Sequence, residues 1–159
     1  MDLLISEILD KVSKAKTKQD KVALLKKHNT PALRMVIKSS FDPKIKWLLP
    51  EGEVPFKRND APIGTEHSVL SYESRKLYHY IEGGNSQITQ RKKETMFVQM
   101  LEGLHETEAD VLVAAKDGLL HQMYKGLSAN VVKEAFNWTD EYMIDDHATY
   151  HQMPGPANG

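Results

Sequence analysis

The chain has 159 residues, of which 40% are hydrophobic and 27% charged, the composition of a globular protein and not of a disordered one. It contains no cysteine, which excludes disulfides, thiolate catalysis and cysteine-ligated zinc or iron–sulfur centres. No apolar run approaches the roughly 20 residues that cross a bilayer, so we expect a soluble protein without a membrane span.

Charge is divided unevenly along the chain, although the net charge is only −1. Residues 1–46 carry eleven Lys and Arg against five Asp and Glu, whereas the remainder carries ten against seventeen. A basic segment of this kind can bind nucleic acid or an acidic protein surface, or it can pack against the acidic part of its own chain. All three interpretations are open at the level of sequence.

The first 43 residues predict three amphipathic helices. The first follows Asp2, which can cap it, and has a single apolar stripe at helical spacing. This stripe consists of Ile5, Ile8, Leu9 and Val12. Thr17 predicts the start of the second helix, and Thr30 before a proline predicts the start of the third, which ends before Pro43.

A segment rich in proline and glycine follows at residues 44–65 and carries large apolar side chains. Burial of each such side chain stabilises a protein by roughly 1.5–3 kcal/mol relative to exposure to water. We therefore expect an ordered connector and not a free linker. Trp47 and Phe56 are expected to be largely buried. Docking of these aromatic residues on another protein is the alternative interpretation.

Four further helices are predicted in the second half of the chain. One spans about 66–81, with Val69 on its buried face, and the next spans about 86–104. Thr107 is predicted to cap a nearly all-apolar helix that ends at Gly118. Ser128 caps the last helix, where the neighbouring Leu127 and Val132 form a hydrophobic staple.

These elements predict an all-α protein, a single compact domain of about seven helices over residues 1–143. The domain comprises a basic three-helix segment at 1–43, the ordered connector at 44–65 and a helical core at 66–137. Residues 144–159 are acidic at their start and rich in proline and glycine at their end, which predicts a flexible tail.

Metal and acid–base chemistry have only weak signals. His147 and His151 lie four residues apart beside Asp145 and Asp146, but without a second anchored segment the ligand set is incomplete. A cluster of acidic residues surrounds the start of the helix at 107, where the helix dipole already explains them. These are Glu102, Glu106, Glu108 and Asp110.

The sequence predicts no catalytic residue, no metal and no cofactor. Neither a GxSxG nucleophile motif nor a phosphate-binding loop occurs. A helix-turn-helix would need a connection of three or four residues, and the chain has about ten. Five cations remain as candidate phosphate contacts, in support of nucleic-acid binding. They are Lys14, Lys18, Arg91, Lys92 and Lys93.

Four spaced motifs carry a family resemblance: FDPKIKWLLPEG at 41–52, ETMFVQMLE at 94–102, YKGL at 124–127 and VKEAF at 132–136. In this order they resemble an uncharacterised family of tailed-phage proteins common in T4-like cyanophages, over about residues 1–138. The resemblance implies no activity, cofactor or catalytic residue. It implies a phage protein of the host cytoplasm, or one carried in the virion.

The expected function is therefore that of a non-enzymatic phage accessory protein that contacts a host or phage protein, with Trp47 and Phe56 at the contact. A nucleic-acid-binding accessory factor of phage replication or transcription is the alternative. A minor virion protein is the second alternative. A hydrolytic or metal-dependent enzyme is the least supported hypothesis. No membrane partner is expected.

Overall fold

The structure, a computed structural model, describes residues 3–63, 65 and 67–145. In these ranges it contains eight α-helices and no strand, which confirms the all-α class. The helices are α1 (Ile5–Lys14), α2 (Lys18–Lys27), α3 (Pro31–Phe41), α4 (Leu70–Glu73), α5 (Gln90–Gly103), α6 (Glu106–Lys116), α7 (Leu120–Met123) and α8 (Ala129–Phe136). A 3₁₀ helix (Ser74–Tyr80) continues α4 directly. None of these helices combines the length and the hydrophobicity that a bilayer span requires.

The first three helices follow the sequence signals closely. The predicted apolar stripe of α1 is buried. The hydroxyl of Thr17 accepts the N–H of Asp20 at 3.1 Å, and that of Thr30 accepts the N–H of Leu33 at 3.2 Å, as helix caps do. At the start of α1, Glu7 accepts the backbone N–H of residue 4 at 2.8 Å. The predicted cap Asp2 lies outside the described residues.

Helix α6 lies at the centre of the fold and packs against α1, α3, α5 and α7. Val111, Leu112 and Ala115 are fully buried on it, but Val113 is only half-buried, so this nearly all-apolar helix is not buried on every side. The predicted cap is also wrong by two positions. His105 caps α6, and Thr107 lies in its first turn.

The predicted helix at 66–81 is replaced by two short elements. Ser68 donates its N–H to the carbonyl of Gly103 at 2.8 Å, and Leu70 donates its N–H to Glu108 at 2.9 Å. These bonds keep the chain extended as far as residue 69 and delay the helix start. Consequently Val69, predicted to be buried, is 38% exposed.

The helices of the second half follow their sequence signals unequally. Helix α5 starts at residue 90, later than predicted, because Thr89 accepts the N–H of Lys92 at 3.1 Å. Helix α8 starts where predicted, because Ser128 accepts the N–H of Val131 at 3.3 Å. Helix α7 has no counterpart among the predicted helices, since four residues are too few for a periodic pattern.

The chain makes a tight turn after α8. Asn137 adopts a left-handed conformation with φ of 60°, and the backbone then folds back so that Trp138 pairs with Ile144 in an isolated antiparallel bridge. Asp145 donates its N–H to the carbonyl of Asn137 at 2.7 Å. The structure describes the first two residues of the predicted tail, Ile144 and Asp145, in this turn, and 146–159 lie outside the described residues.

Candidate interaction surface

The acidic cluster near the start of α6 has structural partners. Glu108 is 0% exposed, and its carboxylate accepts the N–H of Ile5 and the N–H of Leu70, both at 2.9 Å. Burial raises the pKa of Glu108, and these backbone hydrogen bonds oppose that rise. The side chain thus joins the starts of α1 and α4 to α6.

The other acids of the cluster hold the connector. Arg58 donates two hydrogen bonds to Asp110, at 2.8 and 2.9 Å, and one to Glu106 at 3.1 Å. These hydrogen bonds raise the pKa of Arg58 above its ordinary value. Glu102 accepts the N–H of Lys57 at 2.8 Å. The cluster is therefore occupied by contacts that fasten the connector to α5 and α6.

No group of three metal-ligating side chains occurs among residues 3–63, 65 and 67–145. The nearest histidine pair is His67 and His105, with ring centroids 5.1 Å apart. His67 Nε2 faces the carbonyl of Ala61 at 2.8 Å while its Nδ1 is buried without a hydrogen-bond partner among the described residues, and His105 Nδ1 accepts the N–H of Thr107 at 3.2 Å. Of the predicted metal site, Asp145 is described, whereas Asp146, His147 and His151 lie outside the described residues.

The two aromatic anchors of the connector face the protein interior. Trp47 is half-buried, donates its indole N–H to the carbonyl of Ser39 at 2.9 Å, and meets the ring of Phe97 edge-on at 6.2 Å. Phe56 is half-buried and packs against the core beneath the guanidinium of Arg58. Both residues are partly buried against the core, and these contacts are intramolecular.

A buried lysine completes the attachment of the connector. Lys116 donates to the carbonyl of Pro50 at 2.7 Å and to that of Gly52 at 3.2 Å, and it pairs with Asp117. A charge buried in this way requires such partners, because an unpaired ammonium would be strongly disfavoured. The connector is consequently bonded to the core at several points along its length.

The structure separates the five predicted phosphate contacts. Lys93 is only 7% exposed and donates to the carbonyl of Ile88 at 3.2 Å, so its assignment as a phosphate contact is wrong. Lys14 pairs with Asp10 in its own helix, and Lys18 pairs with Glu134 of α8. The contact between Lys18 and α8 joins the basic part of the chain to its acidic part.

Arg91 and Lys92 lie exposed at the start of α5. Four lysines of the N-terminal segment are also exposed and have no side-chain partner among the described residues. They are Lys11, Lys16, Lys26 and Lys27. Lys21 instead bonds to the carbonyls at the end of α1. Some of the basic side chains thus make contacts within the protein, and others are exposed to solvent.

A row of exposed side chains that the sequence did not reveal follows α4 and the 3₁₀ helix. A 3₁₀ helix has three residues per turn, so side chains three apart lie in line. Arg75 and Tyr78 have this spacing on the 3₁₀ helix, and the exposed side chains of Tyr72 on α4 and of Val69 just before α4 continue the three-residue interval; we call these four residues the exposed stripe. Tyr72 is 51% exposed and Tyr78 is 52% exposed. The guanidinium of Arg75 lies 4.7 Å from the centre of the Tyr72 ring.

The opposite side of the same segment anchors it in the core. Leu70, Leu77 and Tyr80 are buried there, and burial raises the pKa of Tyr80 to about 12. The ring of Tyr80 meets that of Phe97 edge-on at 5.3 Å. The seven-residue 3₁₀ helix is longer than the three or four residues that are usual, so the stripe lies on an uncommon scaffold.

An open groove of about 450 Å³ separates the stripe from the start of α3. Its apolar wall includes Pro31, Ala32 and Met35 of α3, and Arg75 borders its other side. Met35 is among the exposed large apolar side chains of the protein. We call this space the α3 groove.

The stripe and the α3 groove have one sign of charge. Helix α3 contains Arg34 and Lys38 but no acidic residue. Between residues 69 and 81 the one acid is Glu73, which is nearly buried and pairs with Lys76 at 3.2 Å. No exposed carboxylate therefore lies on either of the two segments that border the groove.

The comparison with protein families gives one result. Residues 8–122 match a family of unknown function, DUF6433. The chain belongs to DUF6433. No curated protein and no solved structure matches it. The DUF6433 match includes the connector, the exposed stripe and the α3 groove, and it ends within α7, before α8.

A sequence signal for the stripe was present, although it pointed to another element. Helical spacing places Leu70, Leu77 and Tyr80 on a buried face, which is right, but it also places Val69 there, which is wrong. Tyr72 and Tyr78, two large aromatic residues outside that face, remained unexplained by an amphipathic α-helix. The three-residue interval that these two residues share with Arg75 is visible in the sequence, but it does not by itself select 3₁₀ over α geometry.

Proposed function

We propose that this DUF6433 protein is a non-enzymatic accessory protein of a phage, and that it acts in the cytoplasm of the infected bacterium by binding another protein through the exposed stripe. The four spaced motifs that resemble tailed-phage proteins support the phage context. The internal engagement of the acidic cluster supports a binding role over catalysis.

The observation that carries the proposal is the exposure of two tyrosines and one arginine in a row. Tyr72 and Tyr78 are each about half exposed, and Arg75 lies between them. Tyrosine and arginine are enriched among the residues that dominate binding energy at protein interfaces, and methionine is enriched at such interfaces. Met35 lies in the adjoining α3 groove and is of a residue type that is also enriched at interfaces.

The test is affinity capture from infected host cells with the wild-type chain and with a double variant, Tyr72→Ser with Tyr78→Ser. We expect a partner that the wild type retains and the double variant loses. Truncation of a hot-spot residue, a class enriched in tyrosine, costs about 2 kcal/mol or more, roughly 30-fold in affinity.

A matched control removes an exposed apolar side chain elsewhere. Met143 is 59% exposed in the turn after α8, outside the DUF6433 match. Met143→Ser should retain the partner. If wild type, double variant and control all retain the same proteins, the exposed stripe is not the binding site, and the proposal is wrong.

Nucleic-acid binding is the second proposal, and a separate surface favours it. Lys11, Lys16, Lys26 and Lys27 are exposed on α1 and α2 or between them, without side-chain partners among the described residues. Phosphate contacts weaken steeply with salt. Binding to single- or double-stranded DNA or to RNA at about 50 mM salt, and its loss at about 200 mM, would support this role.

The two roles and the virion alternative have distinct outcomes. A nucleic-acid factor should lose binding when Lys26 and Lys27 become Glu and keep it when the tyrosines are replaced. A minor virion protein should be found in purified particles by mass spectrometry. The leading proposal expects the protein in the soluble lysate of infected cells and absent from particles.

A further inference from the structure

We infer that the exposed stripe and the α3 groove bind an acidic segment of a partner protein, with a carboxylate on Arg75 and an apolar side chain in the groove. This inference rests on the proposed function and specifies the chemistry of the partner.

The exposed charges of residues 69–81, the segment that carries the stripe, are positive. Arg75 and Lys76 are exposed, and the one acid of their segment, Glu73, is nearly buried and already paired with Lys76. Arg34 and Lys38 on α3 are half-buried and of the same sign. Like charges facing each other across an interface are costly, so a basic partner segment is disfavoured and an acidic one is favoured.

Arg75 is held in a position that suits a carboxylate. Its guanidinium lies over the Tyr72 ring, and no carboxylate within the described residues accepts its hydrogen bonds. A guanidinium offers a planar pair of donors that matches both oxygens of a carboxylate. Stacking on Tyr72 reduces the freedom that Arg75 would lose on binding.

The α3 groove beside Arg75 is apolar on its α3 side, whereas Ser71 and Ser74 line its opposite side. Pro31, Ala32 and Met35 give it aliphatic walls, and its volume of about 450 Å³ can admit more than one side chain. Methionine adapts its shape to different apolar partners. The occupant therefore carries an apolar side chain beside its carboxylate.

A nucleic acid fits this surface less well. Only Arg75 and Lys76 are exposed cations along the stripe, and Lys76 already has an acidic neighbour. Proteins that bind the phosphate backbone neutralise many phosphates, and aromatic platforms for bases need free ring faces. One face of Tyr72 is covered by Arg75, and Tyr78 stacks on His79 with centroids 4.1 Å apart.

The experiment selects peptides from a random dodecapeptide display library against the full-length protein, with wild type, Arg75→Glu and Tyr72→Ser as separate targets. Peptides enriched on wild type should combine Asp or Glu with Leu, Ile, Phe or Met. Arg75→Glu should lose these peptides and enrich ones that carry Lys or Arg instead.

Binding of the best wild-type peptide is then measured by NMR of ¹³C-methyl methionine. The Met35 methyl signal should shift, whereas that of Met143 should not. Replacing the acidic residues of that peptide by Gln or Asn should weaken binding by roughly 10-fold or more, the usual effect of losing a charge-assisted hydrogen bond. Unchanged signals of the other methionines in each variant show that the variant is folded.

Three outcomes would overturn the inference: no enrichment on wild type over Tyr72→Ser, enrichment of basic or uncharged peptides, or a Tyr72-dependent shift on adding oligo(dT) in place of peptide. These outcomes differ from failure of the proposed function. If the Tyr72→Ser variant loses the captured cellular partner but the Arg75→Glu variant keeps it, the binding role stands. The inference that the partner segment is acidic is then wrong.

Discussion

The connector and the exposed stripe are both built on aromatic residues, yet they use them in opposite ways. In the connector, Trp47 has its indole N–H bonded and its ring against Phe97, and Phe56 packs on the core. In the stripe, Tyr72 and Tyr78 are half exposed and stack only on neighbouring side chains of their own segment. Aromatic content alone therefore does not identify an interface.

Both regions depend on α6. Lys116 and the Arg58 partner Asp110 belong to α6 and hold the connector. Glu108 of the same helix holds the start of α4, and with it the stripe. Substitutions on or near α6 can consequently detach either the connector or the stripe from the core without detaching the other.

The largest effect is expected from Glu108→Ala. This change leaves the backbone N–H groups of Ile5 and Leu70 buried without an acceptor. An unsatisfied buried group costs about 1–3 kcal/mol, so the free energy of unfolding should fall by about 2–4 kcal/mol. Urea denaturation followed by circular dichroism measures the change.

A second variant at the same position separates the acceptor from the charge. Glu108→Gln keeps one carbonyl acceptor and should cost less than Glu108→Ala. Hydrogen exchange should increase at Leu70 and along the 3₁₀ helix in both variants, more strongly in the alanine variant. Equal stability of Glu108→Ala and wild type would show that this carboxylate does not hold the stripe in place.

Trp47→Ala should have the next largest effect and should act on the connector. The side chain is half-buried and loses both its bond to Ser39 and its contact with Phe97. Replacing buried Phe or Trp by Ala costs about 3–5 kcal/mol, so a half-buried one should cost about 2 kcal/mol.

Limited proteolysis provides the regional measurement for this variant. Cleavage between residues 50 and 60 should become faster in Trp47→Ala, whereas cleavage near Tyr72 should not change. Unaltered cleavage of the connector would mean that the indole does not anchor it.

The sequence predicted the connector better than the stripe, for a physical reason. Prolines exclude regular structure, and large apolar residues between them must pack somewhere, so an ordered irregular segment follows from composition. Which side chains it packs against depends on distant residues such as Lys116 and Asp110, whose pairing no local pattern encodes.

The stripe could not be predicted because the decision between α and 3₁₀ geometry is made by tertiary bonds. Local periodicity identified the buried residues Leu70, Leu77 and Tyr80 correctly, although it misplaced Val69. The late start of the segment depends on Ser68 and Leu70, which bond to Gly103 and Glu108 more than 30 positions away in the chain. Helix propensity is a weak preference that such contacts override.

A smaller change in the free energy of unfolding is expected when the pH is varied, and the direction of that change follows from Glu108. Burial raises the folded-state pKa of Glu108 above its value in the unfolded chain. In the interval between the two pKa values the folded protein binds more protons than the unfolded one, so this carboxyl favours folding fully below its unfolded pKa. Its contribution is lost as the pH rises through the folded pKa.

The difference between wild type and Glu108→Gln isolates this contribution from that of paired acids such as Asp110. The free energy of unfolding of wild type, minus that of the variant, should decrease as the pH is raised from about 4, near the ordinary pKa of Glu. Denaturant titrations at a series of pH values measure it. A difference that increases with pH would mean that hydrogen bonds to the carboxylate outweigh its burial.

The smallest effect on stability is expected from Tyr72→Ser with Tyr78→Ser, and it tests the contrast between the two regions most directly. Both rings are half exposed, and surface substitutions commonly change stability within about 0.5 kcal/mol, in contrast to about 2 kcal/mol for Trp47→Ala. Thermal and urea unfolding provide the measurement. Because partner binding should be lost while stability is kept, the two tyrosines would be retained for contact with another molecule and not for folding. A loss comparable to that of Trp47→Ala would instead assign them a structural role and remove the distinction between the two regions.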